Sequence, residues 1–142
     1  PLEIRKLYPD IVVSGEACPM WVPLVENYEY DSPGADYFVE KRIGNLLRKD
    51  PAIDTIVLGC THYPLLLNKI LKYTPRNVRI VPQGEYVAYS LKDYLQRHTE
   101  IETLCTQSGT CRFLTTESPD KFMESASIFL RQHVEAERVV LE

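Results

Sequence analysis

The sequence predicts an α/β fold with a mostly parallel sheet and flanking helices. Apolar residues recur with a period of about 3.6 in some segments and form short strand-like runs in others, and the two kinds of segment alternate. The run TIVL at Thr55–Leu58 is apolar and β-branched, which is typical of a parallel strand covered on both faces. With 142 residues, 44% of them hydrophobic, the chain is long enough to bury a core.

The first half of the chain opens with a helical segment that ends near Tyr8, followed by a predicted strand at residues 10–15 (DIVVSG). Ser32 and Pro33 are typical of a helix N-cap and a first helical position, and Pro51 ends the helix that they begin. We expect one face of this helix to be buried. That face consists of Ala35, Val39, Ile43, Leu46 and Leu47.

The second half continues the alternation of helices and strands. Pro64 begins a helix that ends at residues 74–75, and two further helices, at 85–98 and from 118–119 onward, carry apolar stripes. Strands are predicted at 78–81, 111–115 and 138–141, with an exposed polar loop at 98–110. The stripes consist of Val87, Ala88, Leu91, Tyr94 and Leu95 in the first helix and of Phe122, Ala126, Phe129 and Leu130 in the second.

The composition argues against several classes of protein. The formal net charge is −4, and Lys and Arg are scattered without a basic stripe, so no nucleic-acid partner is expected. No apolar run approaches the roughly 20 residues of a membrane span. No hydrophobic signal-peptide segment opens the chain either. We therefore expect a soluble, cytoplasmic protein with no membrane partner.

The cysteines indicate reduced thiols rather than a metal site or a disulfide framework. None of the four forms a C-x-x-C pair, and the chain has only three histidines, so zinc sites of the common spacing are absent and no metal is expected. A secreted disulfide framework usually has denser cysteines in a shorter chain. The four cysteines are Cys18, Cys60, Cys105 and Cys111.

Cys60 is the strongest candidate for a reactive side chain. It follows the predicted strand directly after Gly59, in the segment TIVLGCTHYPLL. In open α/β sheets, ligands bind beyond the carboxyl ends of strands, and a nearby helix N-terminus favours both a thiolate and a bound carboxylate. Gly59 permits the backbone to turn and a ligand to approach closely. His62 lies near enough along the chain to exchange a proton with the thiol.

The same residues also have purely structural explanations, and the sequence leaves these open. Free cysteine is among the most buried residue types, so Cys60 could be part of a core. His62 could be a satisfied turn histidine, and Thr61 could be only a cap.

Three segments of the chain form a recognisable series. They are ACPMWVPLVE, which ends at Glu26, GCTHYPLL, which begins at Gly59, and RFLTT at 112–116. They resemble three features of glutamate racemases, in the aspartate/glutamate racemase superfamily, and occur in the same order. The first segment resembles the family's A-C-P-L-F-V-P-L-V-E block, the second the signature around its second catalytic cysteine, and the third a strand near its C-terminus. His62 favours the glutamate branch, because aspartate racemases usually carry Glu at this position.

The resemblance implies a cofactor-independent racemisation of L- and D-glutamate by two-base transfer of the α-proton. Cys60 matches the cysteine of the family's second lobe, His62 its assisting acid/base, and Glu26 a carboxylate near the site. These three are the expected catalytic residues, and Thr61 and Gly59 are the expected substrate contacts. The implied partner is glutamate, and the implied role is the supply of D-glutamate for bacterial peptidoglycan.

The resemblance also implies a division of the chain. Residues 1–83 correspond to the second racemase lobe, incomplete at its N-terminus, and residues 84–142 to the C-terminal helices and strands of the first lobe. The family's A-C-N-T-A motif, which holds the other catalytic cysteine, does not occur here, and Cys18 matches a family cysteine that is not catalytic. We therefore expect a fragment that does not racemise glutamate alone and that exposes apolar surface, a source of poor solubility or of self-association such as a homodimer. Pro82-Gln83 replaces the family's usual residues and has no functional explanation.

Other functions are compatible with the sequence alone. One is a non-catalytic α/β module that binds an acidic metabolite or self-associates, and another is a racemase of a different amino acid, such as aspartate. A third is a cysteine hydrolase or thiol-redox protein that uses Cys60 with His62. Neither a nucleophile elbow nor a C-x-x-C motif supports the third.

Overall fold

The computed structural model describes residues 2–107 and 109–141 and divides into two compact units. The first unit contains the residues up to Ser90, and the second begins at Leu91. Each unit combines helices with a pair of parallel strands, so the predicted α/β class is confirmed.

The helices of the first unit form where the sequence offers a cap or an apolar face. They begin with α1 at Leu2–Leu7, α2 at Trp21–Glu26 and α3 at Pro33–Lys49. α3 starts as predicted, because the Ser32 hydroxyl oxygen accepts a hydrogen bond from the Ala35 amide at 3.2 Å. The predicted inner face of α3 is buried at Ala35, Val39 and Ile43 and half-buried at Leu46 and Leu47.

The sheet of the first unit consists of β1, Thr55–Leu58, and β2, Arg79–Pro82, paired in parallel along their whole length. Between the strands, a 3₁₀ turn at Tyr63–Leu66 runs directly into α4, Leu67–Tyr73. Since parallel strands end at the same edge of a sheet, the segments that follow β1 and β2 lie side by side. This edge is where α/β sheets bind ligands.

The core of the first unit is built from α2, α3, β1, the 3₁₀ turn and α4. α3 packs against α2 and α4, and α2 packs against the 3₁₀ turn. Burial of one aliphatic side chain contributes about 1.5–3 kcal/mol, so this cluster is a main source of the unit's stability. The core residues are Cys18, Trp21, Leu24, Val25, Ala35, Val39, Ile43, Ile56, Leu58, Leu66, Ile70 and Val78.

α5, Gln83–Arg97, leads from the first unit into the second. In the second unit, the rings of Phe113 and Phe122 lie 6.2 Å apart, and Val134 is 2% exposed. β3 and β4 pair in parallel. The elements after α5 are α6 at Thr99–Glu102, β3 at Phe113–Thr115, α7 at Pro119–Leu130 and β4 at Ala136–Arg138.

Two strand predictions are wrong. Residues 10–15 form no strand, and Ile11 and Val12 are exposed. A strand needs a neighbour for its backbone hydrogen bonds, and within the described residues β1 and β2 pair only with each other. The closing strand lies at Ala136–Arg138 rather than at 138–141, because the register with β3 ends there.

Other predictions need smaller corrections. β1 is covered on one face only: Ile56 and Leu58 are buried, whereas Val57 is 54% exposed. A β-branched run indicates a strand but does not tell how many of its faces are covered. Leu130, predicted to point inward, is exposed at the end of α7. The strand predicted at 78–81 lies at 79–82, and the strand predicted at 111–115 is reduced to 113–115. The helix predicted at 85–98 starts at 83 and ends at 97. The predicted loop 98–110 contains the short helix α6.

Glu16 links the irregular segment that precedes α2 to helix α3 by hydrogen bonds. Its carboxylate accepts hydrogen bonds from Lys49 at 2.5 Å, from Arg42 at 3.0 Å and from Asn45 at 3.2 Å. Lys49 and then Arg42 lower the pKa of Glu16 from its ordinary value of 4.5 to about 2. The ionised carboxylate therefore stabilises the native state above pH 4.5, and this contribution is lost as the pH falls towards 2.

We expect Glu16→Gln to lower the free energy of unfolding at pH 7 by about 1–2 kcal/mol, because it removes charge-assisted hydrogen bonds. Urea unfolding at pH 7, 4 and 3 measures the difference in free energy of unfolding between the variant and the wild type. We expect this difference to shrink as the native carboxylate takes up a proton. Glu3→Gln is the control: Glu3 pairs with Lys6 on the surface and should change stability little at any pH. An effect of Glu16→Gln that is equal at all three pH values would contradict this assignment.

α5 carries the predicted apolar stripe but buries none of its residues. Val87 is 61% and Leu91 56% exposed. Exposed apolar area of this extent is typical of surfaces that meet another polypeptide. The other exposed large side chains of α5 are Tyr86, Tyr89 and Tyr94.

We expect the chain to self-associate as its concentration rises, because α5 buries none of its apolar side chains in the part of the chain that the structure describes. Sedimentation velocity over a wide concentration range measures this. The double variant Val87→Lys/Leu91→Lys should shift the chain towards monomer, whereas Ile128→Lys, at an exposed position of α7, should not. A wild-type chain that stays monomeric throughout would refute the prediction.

Candidate active site

The turn that holds Cys60 lies at the carboxyl edge of the first sheet. It follows β1 directly, and its backbone is closed by the Tyr63 amide, which donates to the Cys60 carbonyl at 3.2 Å. The last residue of β1, Leu58, is the register partner of Pro82, the last residue of β2. Cys60 therefore lies where a parallel sheet presents its ligand-binding edge.

The side chains of Cys60 and His62 face each other within this turn. The Cys60 Sγ lies 3.9 Å from the Nδ1 of His62, a distance at which sulfur and an imidazole nitrogen can share a proton. Cys60 is half-buried, and the His62 side chain is 34% exposed. Both groups are therefore open to a ligand, which argues against the alternative that Cys60 is a core cysteine.

Glu26 contacts the other nitrogen of the His62 imidazole. Its Oε1 lies 3.3 Å from the Nε2 of His62, and its side chain is 61% exposed at the end of α2. A carboxylate accepts but does not donate hydrogen bonds, so Glu26 favours a proton on Nε2. In a neutral imidazole, Nδ1 then presents a lone pair to the thiol, and in a charged imidazole it presents a second N–H. The arrangement suits both uptake of a proton from Cys60 and its return.

An aromatic pair connects the turn that holds Cys60 to helix α2. The rings of Trp21 and Tyr63 meet edge to face, with centroids 4.8 Å apart at 70°. Such a pair contributes about 0.5–1.5 kcal/mol beyond the area that it buries. The Trp21 Nε1–H also donates to the Phe38 carbonyl in α3 at 3.4 Å, so the indole links α2 to its neighbour.

Cys18 lies in the buried part of this region and differs from Cys60. It is 8% exposed, and its thiol donates to the Glu16 carbonyl at 3.7 Å. Burial, with the negative charge of Glu16 adding, raises the pKa of Cys18 to about 11. Cys18 is therefore a neutral thiol at physiological pH.

The two expected substrate contacts, Gly59 and Thr61, flank Cys60 and are exposed. Gly59 does not adopt a left-handed backbone conformation, so the turn itself does not require glycine here. A Cβ at this position would meet no atom within 4 Å. The backbone turn that the sequence suggested is therefore no reason for glycine here, and close approach of a ligand stays a prediction.

The other cysteines lie apart from this constellation in the chain. Cys105 and Cys111 belong to the second unit, and both are exposed. In the part of the chain that the structure describes, no cluster of His, Cys, Asp and Glu side chains has the arrangement of a metal site. None of the described helices combines the length and the apolar character needed to cross a bilayer.

Trp21 and Tyr63 are the site residues that sequence reasoning missed. Both lie inside the segments that carry the resemblance, one in ACPMWVPLVE and the other in GCTHYPLL. The signal available was an aromatic side chain in each segment, but nothing in the spacing shows that the two rings meet. That contact depends on how α2 packs against the 3₁₀ turn.

Comparison with known proteins agrees with the family that the motifs indicated. A glutamate racemase of Thermoanaerobacter sp. is 36% identical over 132 residues, which are 93% of this chain and 48% of that protein. The chain is homologous to glutamate racemases. It spans about half the length of the curated relatives that it matches. No protein-family model matches the chain.

Solved structures of glutamate racemases share the fold. A glutamate racemase isoform of Bacillus anthracis matches 97% of this chain and 50% of its own with a TM-score of 0.84 and 30% identity. The glutamate racemase of Francisella tularensis, crystallised in complex with D-glutamate, matches 99% of this chain and 51% of its own with a TM-score of 0.79. At 22% identity, this second match speaks for the fold alone.

Proposed function

We propose that this chain provides the Cys60 half of a glutamate racemase site. The observation that supports the proposal is the series of contacts from Cys60 Sγ to His62 Nδ1 and from His62 Nε2 to Glu26 Oε1. A thiol with an oriented imidazole behind it is equipped to take up and return a proton. Because the chain is homologous to glutamate racemases, we infer that the atom next to Cys60 in the bound substrate is the α-carbon of glutamate.

In the proposed reaction, the Cys60 thiolate removes the α-proton from one enantiomer of glutamate. The electron pair left on the α-carbon delocalises into the adjacent carboxylate, and a thiol on the opposite face donates a proton to the carbon. Cys60 ends as a thiol and the opposing cysteine as a thiolate, so the reverse direction starts from the product. His62 exchanges the proton of Cys60, and Glu26 keeps the imidazole in the tautomer that this exchange needs.

The opposing cysteine comes, in this proposal, from a segment equivalent to the remaining half of the relatives. One thiol cannot reach both faces of a carbon, and Cys18 is a buried neutral thiol. We therefore assign residues 1–83 to the racemase lobe with Cys60 and residues 84–142 to the returning part of the other lobe. The chain alone is then a half-site that does not racemise glutamate.

The substrate is held, in this proposal, against the exposed residues Gly59 and Thr61 at the sheet edge. A substrate carboxylate close to the Gly59 backbone would need the open space that a Cβ there would occupy. The reaction needs no cofactor, because two thiols supply and remove the proton. Its product, D-glutamate, is a precursor of bacterial peptidoglycan, which places the reaction in the cytoplasm.

A fusion protein tests the proposal. This chain replaces the matched region of the Bacillus anthracis racemase, so that the unmatched half of that enzyme completes the site. Circular dichroism of glutamate solutions follows racemisation by the fusion and by the chain alone, with aspartate as the alternative substrate. We expect the fusion to racemise glutamate but not aspartate, and the chain alone to be inactive. A correctly folded fusion without activity, or one that prefers aspartate, would contradict the proposal.

A further inference from the structure

We propose that Tyr63 is a positioning residue. Through its contact with Trp21 it maintains the contacts that His62 makes with Cys60 and with Glu26. The proposal rests on the proposed function for its relevance to catalysis, but the geometry that carries it is independent of the substrate. Besides a hydrogen bond between its phenol and the Cys18 thiol, Tyr63 makes two contacts that bear on the turn. Its amide closes the turn by donating to the Cys60 carbonyl at 3.2 Å, and its ring packs edge to face on Trp21.

Trp21 is a fixed support for this contact. Its side chain is 2% exposed, and its indole N–H donates to the Phe38 carbonyl of α3. Trp21 begins α2 and Glu26 ends it, so the same short helix carries the aromatic support and the carboxylate. The Tyr63 ring therefore sets the position of the turn relative to α2. The 3.3 Å separation between His62 and Glu26 depends on that position.

The phenol of Tyr63 is not itself suited to carry the proton. Burial raises the pKa of Tyr63 above its ordinary value of 10.0. The phenol thus stays protonated at neutral pH and does not compete with His62 as a base. What Tyr63 contributes to the position of the turn is its ring. Tyr63→Phe keeps the ring and removes only the hydrogen bond between the phenol and the Cys18 thiol, whereas Tyr63→Leu removes the ring.

The test compares the alkylation of two cysteines in the same molecule. Iodoacetamide modifies Cys60 and the exposed Cys105, and peptide mass spectrometry gives the ratio of their rates at pH 7. An imidazole in contact with a thiol can take up its proton and so promotes alkylation. We expect His62→Ala to lower the Cys60-to-Cys105 ratio by about three- to tenfold.

The proposal predicts that Tyr63→Leu lowers the ratio as far as His62→Ala does, and that Tyr63→Phe keeps the wild-type ratio. If circular dichroism shows that Tyr63→Leu has lost helix, Tyr63→Met, which keeps more of the side-chain volume, takes its place and the same outcomes apply. A folded Leu or Met variant that keeps the wild-type ratio overturns this proposal alone. A His62→Ala variant with the wild-type ratio overturns both this proposal and the proposed function.

Discussion

Cys60→Ser in the fusion with the Bacillus anthracis half should reduce the rate of glutamate racemisation by at least about a thousandfold. A serine hydroxyl has nearly the size of the thiol but is a far weaker acid, so it cannot act as the ionised base. Loss of general acid–base transfer alone costs about 10²–10⁴-fold. The rate is measured by circular dichroism from both enantiomers, because the two-base scheme predicts loss in both directions.

Cys105→Ser is the matched control for this variant. Cys105 is an exposed thiol of the second unit, so its replacement tests for a general effect of removing a cysteine. We expect the control to retain the activity of the parent fusion. A Cys60→Ser fusion that is as active as the control would remove Cys60 from the reaction.

His62→Ala should reduce racemisation by about a hundredfold and Glu26→Gln by about tenfold. His62 carries the proton of Cys60 directly, so its loss removes one acid–base partner. Glu26 is more exposed and acts only through the imidazole, which limits its effect. The kcat of each variant, measured at saturating glutamate, separates these effects from weaker substrate binding.

A double-mutant cycle tests whether Glu26 works through His62. If it does, the combined variant His62→Ala/Glu26→Gln is no slower than His62→Ala alone, because the carboxylate has lost the group that it orients. Glu29→Gln, an exposed carboxylate a few residues beyond α2, is the control and should leave kcat unchanged. Strictly additive losses from His62→Ala and Glu26→Gln would mean that Glu26 has no role in orienting His62.

The local part of the fold could be predicted from the sequence where a single segment contained its own determinants. α3 follows from Ser32-Pro33 and from an apolar face at helical spacing, and the structure shows both the cap and the buried face. β1 and the turn after it follow from TIVLGC for the same reason. Each of these elements depends on neighbours a few residues away.

The parts that failed depend on distant partners. The β-branched residues at 10–15 favour a strand, but the described chain offers no adjacent strand to take up the backbone hydrogen bonds. The α5 stripe was predicted correctly as a pattern, yet a pattern cannot show whether anything covers it. For the site, the sequence identified Cys60 and His62 as neighbours, but Glu26 was predicted as a site residue only from the resemblance. The contact between Trp21 and Tyr63 was not predicted because it depends on tertiary packing.

Deuterium exchange at the α-carbon shows whether Cys60 serves one face of the substrate. Proton NMR in D₂O follows loss of the α-proton signal from L-glutamate and from D-glutamate separately, for the fusion and for its Cys60→Ser variant. We expect the variant to exchange one enantiomer only, without racemising it, because the opposing cysteine still removes and returns a proton on its own face. Exchange of both enantiomers at undiminished rates in the Cys60→Ser variant would contradict it.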